Sequence, residues 1–259
     1  MSSIKNLPSS LQKSLSQCSL LKIIAGLNNF DKISVSRISS AAGCGGADLL
    51  DVACDPELVK LAVENSNIPV CVSSVEPHLF PAAIDAGASM VEIGNFDSFY
   101  PQGRFFDADE VKTLTLKTKE LLPNAALSVT VPHILPLDQQ CQLALDLIEI
   151  GADLIQTEGG TSAKPFSPGS LGLIEKAAPT LAATQSIFET IKNSNRHVPL
   201  ICASGLSSVT LPMAFAVGAS GVGVGSAINR LQTELEMLAV IRKLRESIIS
   251  FNCLSQKVL

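Results

Sequence analysis

The thirty residues 200–229, LICASGLSSVTLPMAFAVGASGVGVGSAIN, decide how the rest of the chain is read. Leu200 to Ala203 form a buried apolar run that breaks at Ser204-Gly205, and Val222 to Val224 form a second that breaks at Gly225-Ser226. The pattern is strand, Ser-Gly turn, short helix, strand, Gly-Ser turn. Strands that give way to small residues leave backbone N–H groups bare. Several such groups facing one point suit a phosphate. Ser204, Gly205, Leu206, Gly223, Gly225 and Ser226 are therefore the candidate phosphate-binding residues.

The same rhythm runs back through the chain. Gly-Ala followed by Asp or Ser recurs at Gly46-Ala47-Asp48, Gly87-Ala88-Ser89, Gly151-Ala152-Asp153 and Gly218-Ala219-Ser220. Each Gly follows a helical pattern, at the position where a helix ends in positive φ. Strands entered through Pro69 and Pro199 lie between these signals. Eight strands are expected: Leu21–Leu27, Leu49–Cys54, Val70–Val75, Met90–Gly94, Leu127–Val131, Leu154–Glu158, Leu200–Ser204 and Gly221–Gly225. Helical spacing places Leu143, Leu147 and Ile150 on one buried face, and Leu231, Leu235 and Leu238 on another. Strands alternating with helices give a parallel barrel or a doubly wound sheet. The length of 259 residues and the paired last two loops favour an α/β fold of one (β/α)8 barrel. Residues 1–259 then form one domain, with an N-terminal capping helix segment at 1–19, the barrel at 20–248 and a tail at 249–259.

Composition narrows the function. The chain is 46% hydrophobic and 17% charged, as strands buried on both faces require. A net charge of −5 without a basic block argues against nucleic acid as a partner. No apolar run approaches membrane-spanning length, so no membrane partner is expected. The Ser-rich start, MSSIKNLPSSLQKSL, lacks the apolar centre of a signal peptide. Seven cysteines without a C-x-x-C pair read as reduced thiols in a reducing compartment. The oligomeric state stays open, a homo-oligomer included.

Polar residues within barrel strands mark the lumenal face, because the outer face packs beneath helices. That places Lys22, Asp51, Glu92, Ser128, Thr130, Gln156 and Glu158 inside. Lys22, low on its strand, stands open between a structural ion pair and a catalytic role. Asp51, Glu92 and Glu158 are expected nearer the mouth. Glu158, beside a Gly-Gly turn, is the candidate acid or base, with His133 as proton carrier. The three histidines show no metal-ligand spacing, and no cofactor is evident, although one or two carboxylates could hold Mg²⁺ on a phosphate. Two long loops, Asn95–Phe105 and Gly159–Gly169, leave strands four and six at the end where barrel enzymes keep their sites. They carry Arg104, Thr161 and Lys164, read as lid residues or as ordinary solvated groups.

Several blocks resemble successive parts of one family: 24–31 (IAGLNNFD), 91–100 (VEIGNFDSFY), 127–133 (LSVTVPH), 156–162 (QTEGGTS) and 171–183 (LGLIEKAAPTLAA). The chain is similar, over roughly 20–248, to the cyanobacterial and algal-plastid proteins called hypothetical chloroplast reading frame twenty-three. The resemblance implies a phosphate-binding TIM barrel of the chloroplast stroma or cyanobacterial cytoplasm, and transfers no catalytic residue. The loop pair is more distantly similar to sugar-phosphate epimerases and thiazole synthase. The expected function is an isomerase or lyase acting on a small phosphorylated metabolite, since no redox-cofactor or nucleoside-triphosphate motif is present. The alternative is a non-catalytic barrel that senses a ligand or binds a partner.

Overall fold

A computed structural model describes residues 3–255. Eight parallel strands close on themselves in sequence order. They are β1 (Leu20–Gly26), β2 (Leu49–Ala53), β3 (Val70–Ser74), β4 (Met90–Ile93), β5 (Leu127–Thr130), β6 (Leu154–Gln156), β7 (Leu200–Ala203) and β8 (Gly221–Val224). The helices are α1 (Ser9–Ser16), α2 (Lys32–Gly45), α3 (Pro56–Ser66), α4 (Phe80–Asp85), α5 (Ala108–Leu121), α6 (Leu137–Ile150), α7 (Gly169–Asn193), α8 (Leu211–Ala216), α9 (Ser226–Asn229) and α10 (Glu234–Ser255). The (β/α)8 barrel expected from the strand pattern is the fold. Several strands end one or two residues earlier than expected, where polar or glycine residues turn the chain into the mouth.

The Gly-Ala repeats do physical work at the entrance to every second strand. Gly46, Gly87, Gly151 and Gly218 all have positive φ, between 85° and 114°. Where the repeat ends in Asp, the carboxylate accepts a backbone N–H of the preceding strand. Leu21 donates to Asp48 at 2.8 Å and Leu127 donates to Asp153 at 2.9 Å. Asp48 is also paired with Arg245 of α10, and Asp153 with Lys119 of α5 at 3.0 Å. The repeat therefore locks helix, strand and neighbouring strand together at the N-terminal pole.

That pole is closed by α1. Leu7, Leu11 and Leu15 are buried against Leu20, Leu49, Met90, Leu154 and Ile201, one apolar plug under the lumen. The second core lies between sheet and helices. Along α10 the buried face is Met237, Ile241, Leu244 and Ile248. The expected face Leu231, Leu235, Leu238 is corrected: Leu231 precedes the helix and Leu235 is 74% exposed. The apolar period there was counted from a residue in the preceding loop.

Above the plug sits a polar layer with no access to solvent. Lys22 Nζ donates to Glu92 at 2.7 Å and to Gln156 at 3.0 Å, with Asp51 at 4.0 Å. Ser73 donates to Asp51, and Ser128 and Gln156 donate to Glu92. Burial alone disfavours the ammonium, yet Asp51 and Glu92 hold the Lys22 pKa above its ordinary value. Burial pushes the Asp51 carboxyl up to about 6, against the pull of Lys22. Asp51 and Glu92, expected nearer the mouth, thus lie in the sealed layer with Lys22, because their strands place them level with it in the closed register.

Removing one member of a buried ion pair leaves its partner uncompensated, at a cost of about 3–5 kcal/mol. Lys22→Met is expected to lower unfolding free energy by that amount in chemical denaturation. Asp51→Asn should cost much less, because Glu92 and Gln156 still hold the ammonium. An acid raised above its unfolded value of about 3.9 stabilises the fold while protonated. The Asp51 contribution is therefore lost as pH rises through about 6, and Asp51→Asn should flatten that part of the stability profile. Equal costs for the two variants would refute the central role of Lys22.

Candidate active site at the C-terminal mouth

The two corners at the end of the chain meet. Ser204, Gly205 and Leu206 after β7, and Gly225 and Ser226 after β8, line one cavity of about 260 Å³. Ile24 and Gly26 from the end of β1, Asn95, Asp97 and Ser98 after β4, Thr161 after β6 and Asn229 of α9 complete its wall. Among the described residues, the N–H groups of Gly205, Leu206 and Ser226 make no hydrogen bond within the protein. Gly223 does not line the cavity. It pairs with Lys22 in the sheet, and a Cβ there would meet Ala203 at 2.8 Å. Its place among the phosphate residues is corrected to that of a spacer in the wall.

Backbone conformation brings the loops this close. Ser204 and Gly205 both have positive φ, 75° and 74°. Such a conformation costs a serine about 1 kcal/mol or more and needs support from its surroundings. The Ser204 hydroxyl donates to Asp97 at 2.8 Å and accepts from the Thr161 N–H at 3.1 Å. Gly160 lies against this corner. A Cβ on Gly160 would fall 2.3 Å from the Cα of Gly205 and 2.5 Å from the carbonyl oxygen of Ser204. The Gly-Gly pair after β6 therefore permits a backbone contact with the β7 corner.

Beside the cavity stands a cluster of acids and donors. Glu158, 1% exposed, accepts from the Tyr100 hydroxyl at 2.5 Å, the His133 N–H at 3.2 Å and the Asp97 N–H at 3.2 Å. His133 Nδ1 lies 3.2 Å from Glu158 Oε1 and 3.3 Å from Asp97 Oδ1. Burial raises the Glu158 pKa, His133 and Tyr100 pull it back, and Asp97 raises it further. Burial opposes charge on His133, but Glu158 and Asp97 leave its pKa above the ordinary value. Burial and Glu158 push the Tyr100 phenol far up, so it remains a donor. This set can accept, hold and release protons.

The structure thus brings together Glu158, His133, Thr161 and the two glycine corners, and leaves Lys22, Asp51 and Glu92 in the layer below. Arg104 turns away from the cavity: it pairs with Glu110 and lies 4.1 Å from the centre of the Phe106 ring. Lys164 is exposed on its loop and makes no ion pair among the described residues. Asp97 and Tyr100 were missed. Their loop is marked in the sequence by its length and by Arg104, its only cation. The nearer signal was a carboxylate within four residues of a strand's C-terminal end. A larger cavity of about 500 Å³ lies at the opposite pole, between α1 and the end of α7, and is walled mainly by apolar residues such as Leu15, Phe188 and Ile191. Glu158, Asp97 and His133 are not in its wall.

Strand order and this loop-built cavity define a TIM-barrel protein whose candidate site occupies the C-terminal face. The chain belongs to the family described as "Protein of unknown function (DUF561)", which matches residues 4–253. It is 42% identical to "Uncharacterized protein ycf23" of Cyanophora paradoxa, covering 89% of this chain and 93% of that one. It is 39% identical to "Uncharacterized protein ycf23" of Porphyra purpurea, covering 93% and 89%. Among solved structures, the barrel is similar to (S)-3-O-geranylgeranylglyceryl phosphate synthase from Thermoplasma acidophilum in complex with substrate sn-glycerol-1-phosphate. The TM-score is 0.60 at 14% identity, over 96% of this chain and 98% of that one. At that identity the likeness is one of fold. No helix of the described residues is long and apolar enough to cross a membrane.

The Gly160–Gly205 contact can be tested directly. Gly160→Ala forces two backbones apart, and overpacking of this kind costs about 1–3 kcal/mol. Denaturation should show that loss. A variant as stable as the parent would mean that the β6 and β7 loops do not meet as described.

Proposed function

We propose that this protein is an enzyme that binds a small phosphorylated metabolite and catalyses an isomerase- or lyase-type reaction upon it. The observation that carries the reading is the convergence of two glycine corners on one cavity, with Asp97 in the same wall. The unbonded N–H groups of Gly205, Leu206 and Ser226 would hold the phosphate oxygens. The rest of the substrate would then extend toward Asp97 and Ser98. Asp97 is the carboxylate at the cavity wall. His133 links it to Glu158, which stands one layer behind and orients the ring. Proton exchange at a carbon or oxygen beside the phosphate ester is the chemistry this arrangement serves. A phosphate ligand in a related fold supports the reading by analogy. Relatives in Cyanophora paradoxa and Porphyra purpurea support a plastid or cyanobacterial cytoplasmic location.

A panel of sugar and triose phosphates should include one that raises the melting temperature. Ligand at a hundred times Kd adds about 2.7 kcal/mol of stability. The same compound should be turned over, as followed by ³¹P and ¹H NMR. Asp97→Asn should reduce turnover by about 10²–10⁴-fold while the phosphate still binds. No stabilisation by any phosphate ester would refute the proposal. Binding without turnover, unchanged by Asp97→Asn or Glu158→Gln, would favour the ligand-sensing alternative.

A further inference from the structure

We infer that Asp97, His133 and Glu158 together hold a divalent transition-metal ion at the edge of the phosphate cavity. This deepens the proposed function and rests on the same mouth being the working site. One ligand atom from each residue lies within 4.8 Å of the other two. Ligands at bond lengths of about 2.1 Å, spread over tetrahedral to octahedral angles, stand about 3.0–3.4 Å apart. His133 Nδ1 sits 3.2 Å from Glu158 Oε1 and 3.3 Å from Asp97 Oδ1, inside that range.

Hydrogen bonding alone does not account for the arrangement. The hydrogen-bond contact of Nδ1 is with Glu158 Oε1, and Asp97 Oδ1, 3.3 Å away, is left outside it. Asp97 is only 8% exposed, and its Oδ1 is buried with no hydrogen-bond partner among the described residues. Its position beside His133 is that of a lone pair kept for a cation.

The surroundings are those of ligands held by outer partners. The Ser204 hydroxyl fixes the other Asp97 oxygen, Tyr100 fixes Glu158, and the N–H groups of Asp97 and His133 orient the same carboxylate. Three protein ligands leave positions open for water or substrate, the pattern of a catalytic rather than a structural site. Asp97 lines the cavity, so the ion would lie at its edge. Two carboxylates with one imidazole suit Mn²⁺, Fe²⁺ or Zn²⁺ better than an all-oxygen ion such as Mg²⁺. The substrate class narrows accordingly, to phosphate esters carrying a carbonyl or hydroxyl oxygen that a cation can polarise. Ser204, which joins Asp97 to the phosphate corner, would couple the two ligands.

The test uses the full chain, stripped with EDTA and dialysed. Mn²⁺ binding is followed by electron paramagnetic resonance and Zn²⁺ binding by calorimetry. The expected result is one saturable site per chain, weakened at least tenfold by Asp97→Asn and by His133→Gln in chains with unchanged circular dichroism. Glu110→Gln, which alters only the Arg104 partner, should bind like the parent. Absence of a stoichiometric site in the unmodified chain, or affinity unmoved by both substitutions, would overturn the inference. A stripped chain that binds a phosphate ester but no metal would sink the metal site alone. A chain that binds metal but no phosphate ester would sink the phosphate reading alone.

Discussion

One ammonium group allows the inside of this barrel to be polar. Lys22 Nζ joins Glu92 and Gln156 directly and stands near Asp51, while Ser73 and Ser128 hold the carboxylates in place. Those side chains come from six strands, β1 to β6. Without the cation, two carboxylates would face each other out of reach of water, at a cost of about 3–5 kcal/mol. The layer also floors the mouth. Loops that leave the strands above it start from fixed points, so small differences in their backbones set the shape of the cavity.

The cavity depends on backbone more than on side chains. Gly160 lets the β6 loop touch the β7 corner, and Ser204 holds a left-handed conformation because its hydroxyl is engaged by both Asp97 and Thr161. Ser204 is thus a structural brace for the corner and a link between the proposed phosphate seat and the acid cluster. Strain held by specific partners beside an open pocket is the pattern of a site shaped for a ligand. The cluster itself is unusual in its burial: Glu158 takes three donors out of contact with water. Such a group keeps its orientation and meets the cavity only through His133 and Asp97.

Much of this was legible in the residues. The Gly-Ala repeats marked the even strands because only glycine easily takes the positive φ that ends those helices. The two late corners marked the cavity because small residues after a strand leave amides uncovered. Alternation along strands put Lys22, Glu92 and Gln156 inside. Height within the lumen was not legible. Asp51 and Glu92 lie beside Lys22 because of the stagger between strands, which no single strand encodes. Asp97 and Tyr100 escaped notice because their partners, His133 and Glu158, arise from other loops, and nothing in their own spacing points there.

The sequence by itself determined the eight alternations of strand and helix, the apolar faces and the places where the chain must turn, since these follow from local conformational preference and from hiding apolar surface. Tertiary structure alone decided which charges share a layer, which hydroxyl braces which corner, and that one atom each of Asp97, His133 and Glu158, from separate loops, stand within 4.8 Å of one another. Those relations depend on barrel closure. Closure fixes distances between residues far apart in the chain, and electrostatics and coordination depend on distance.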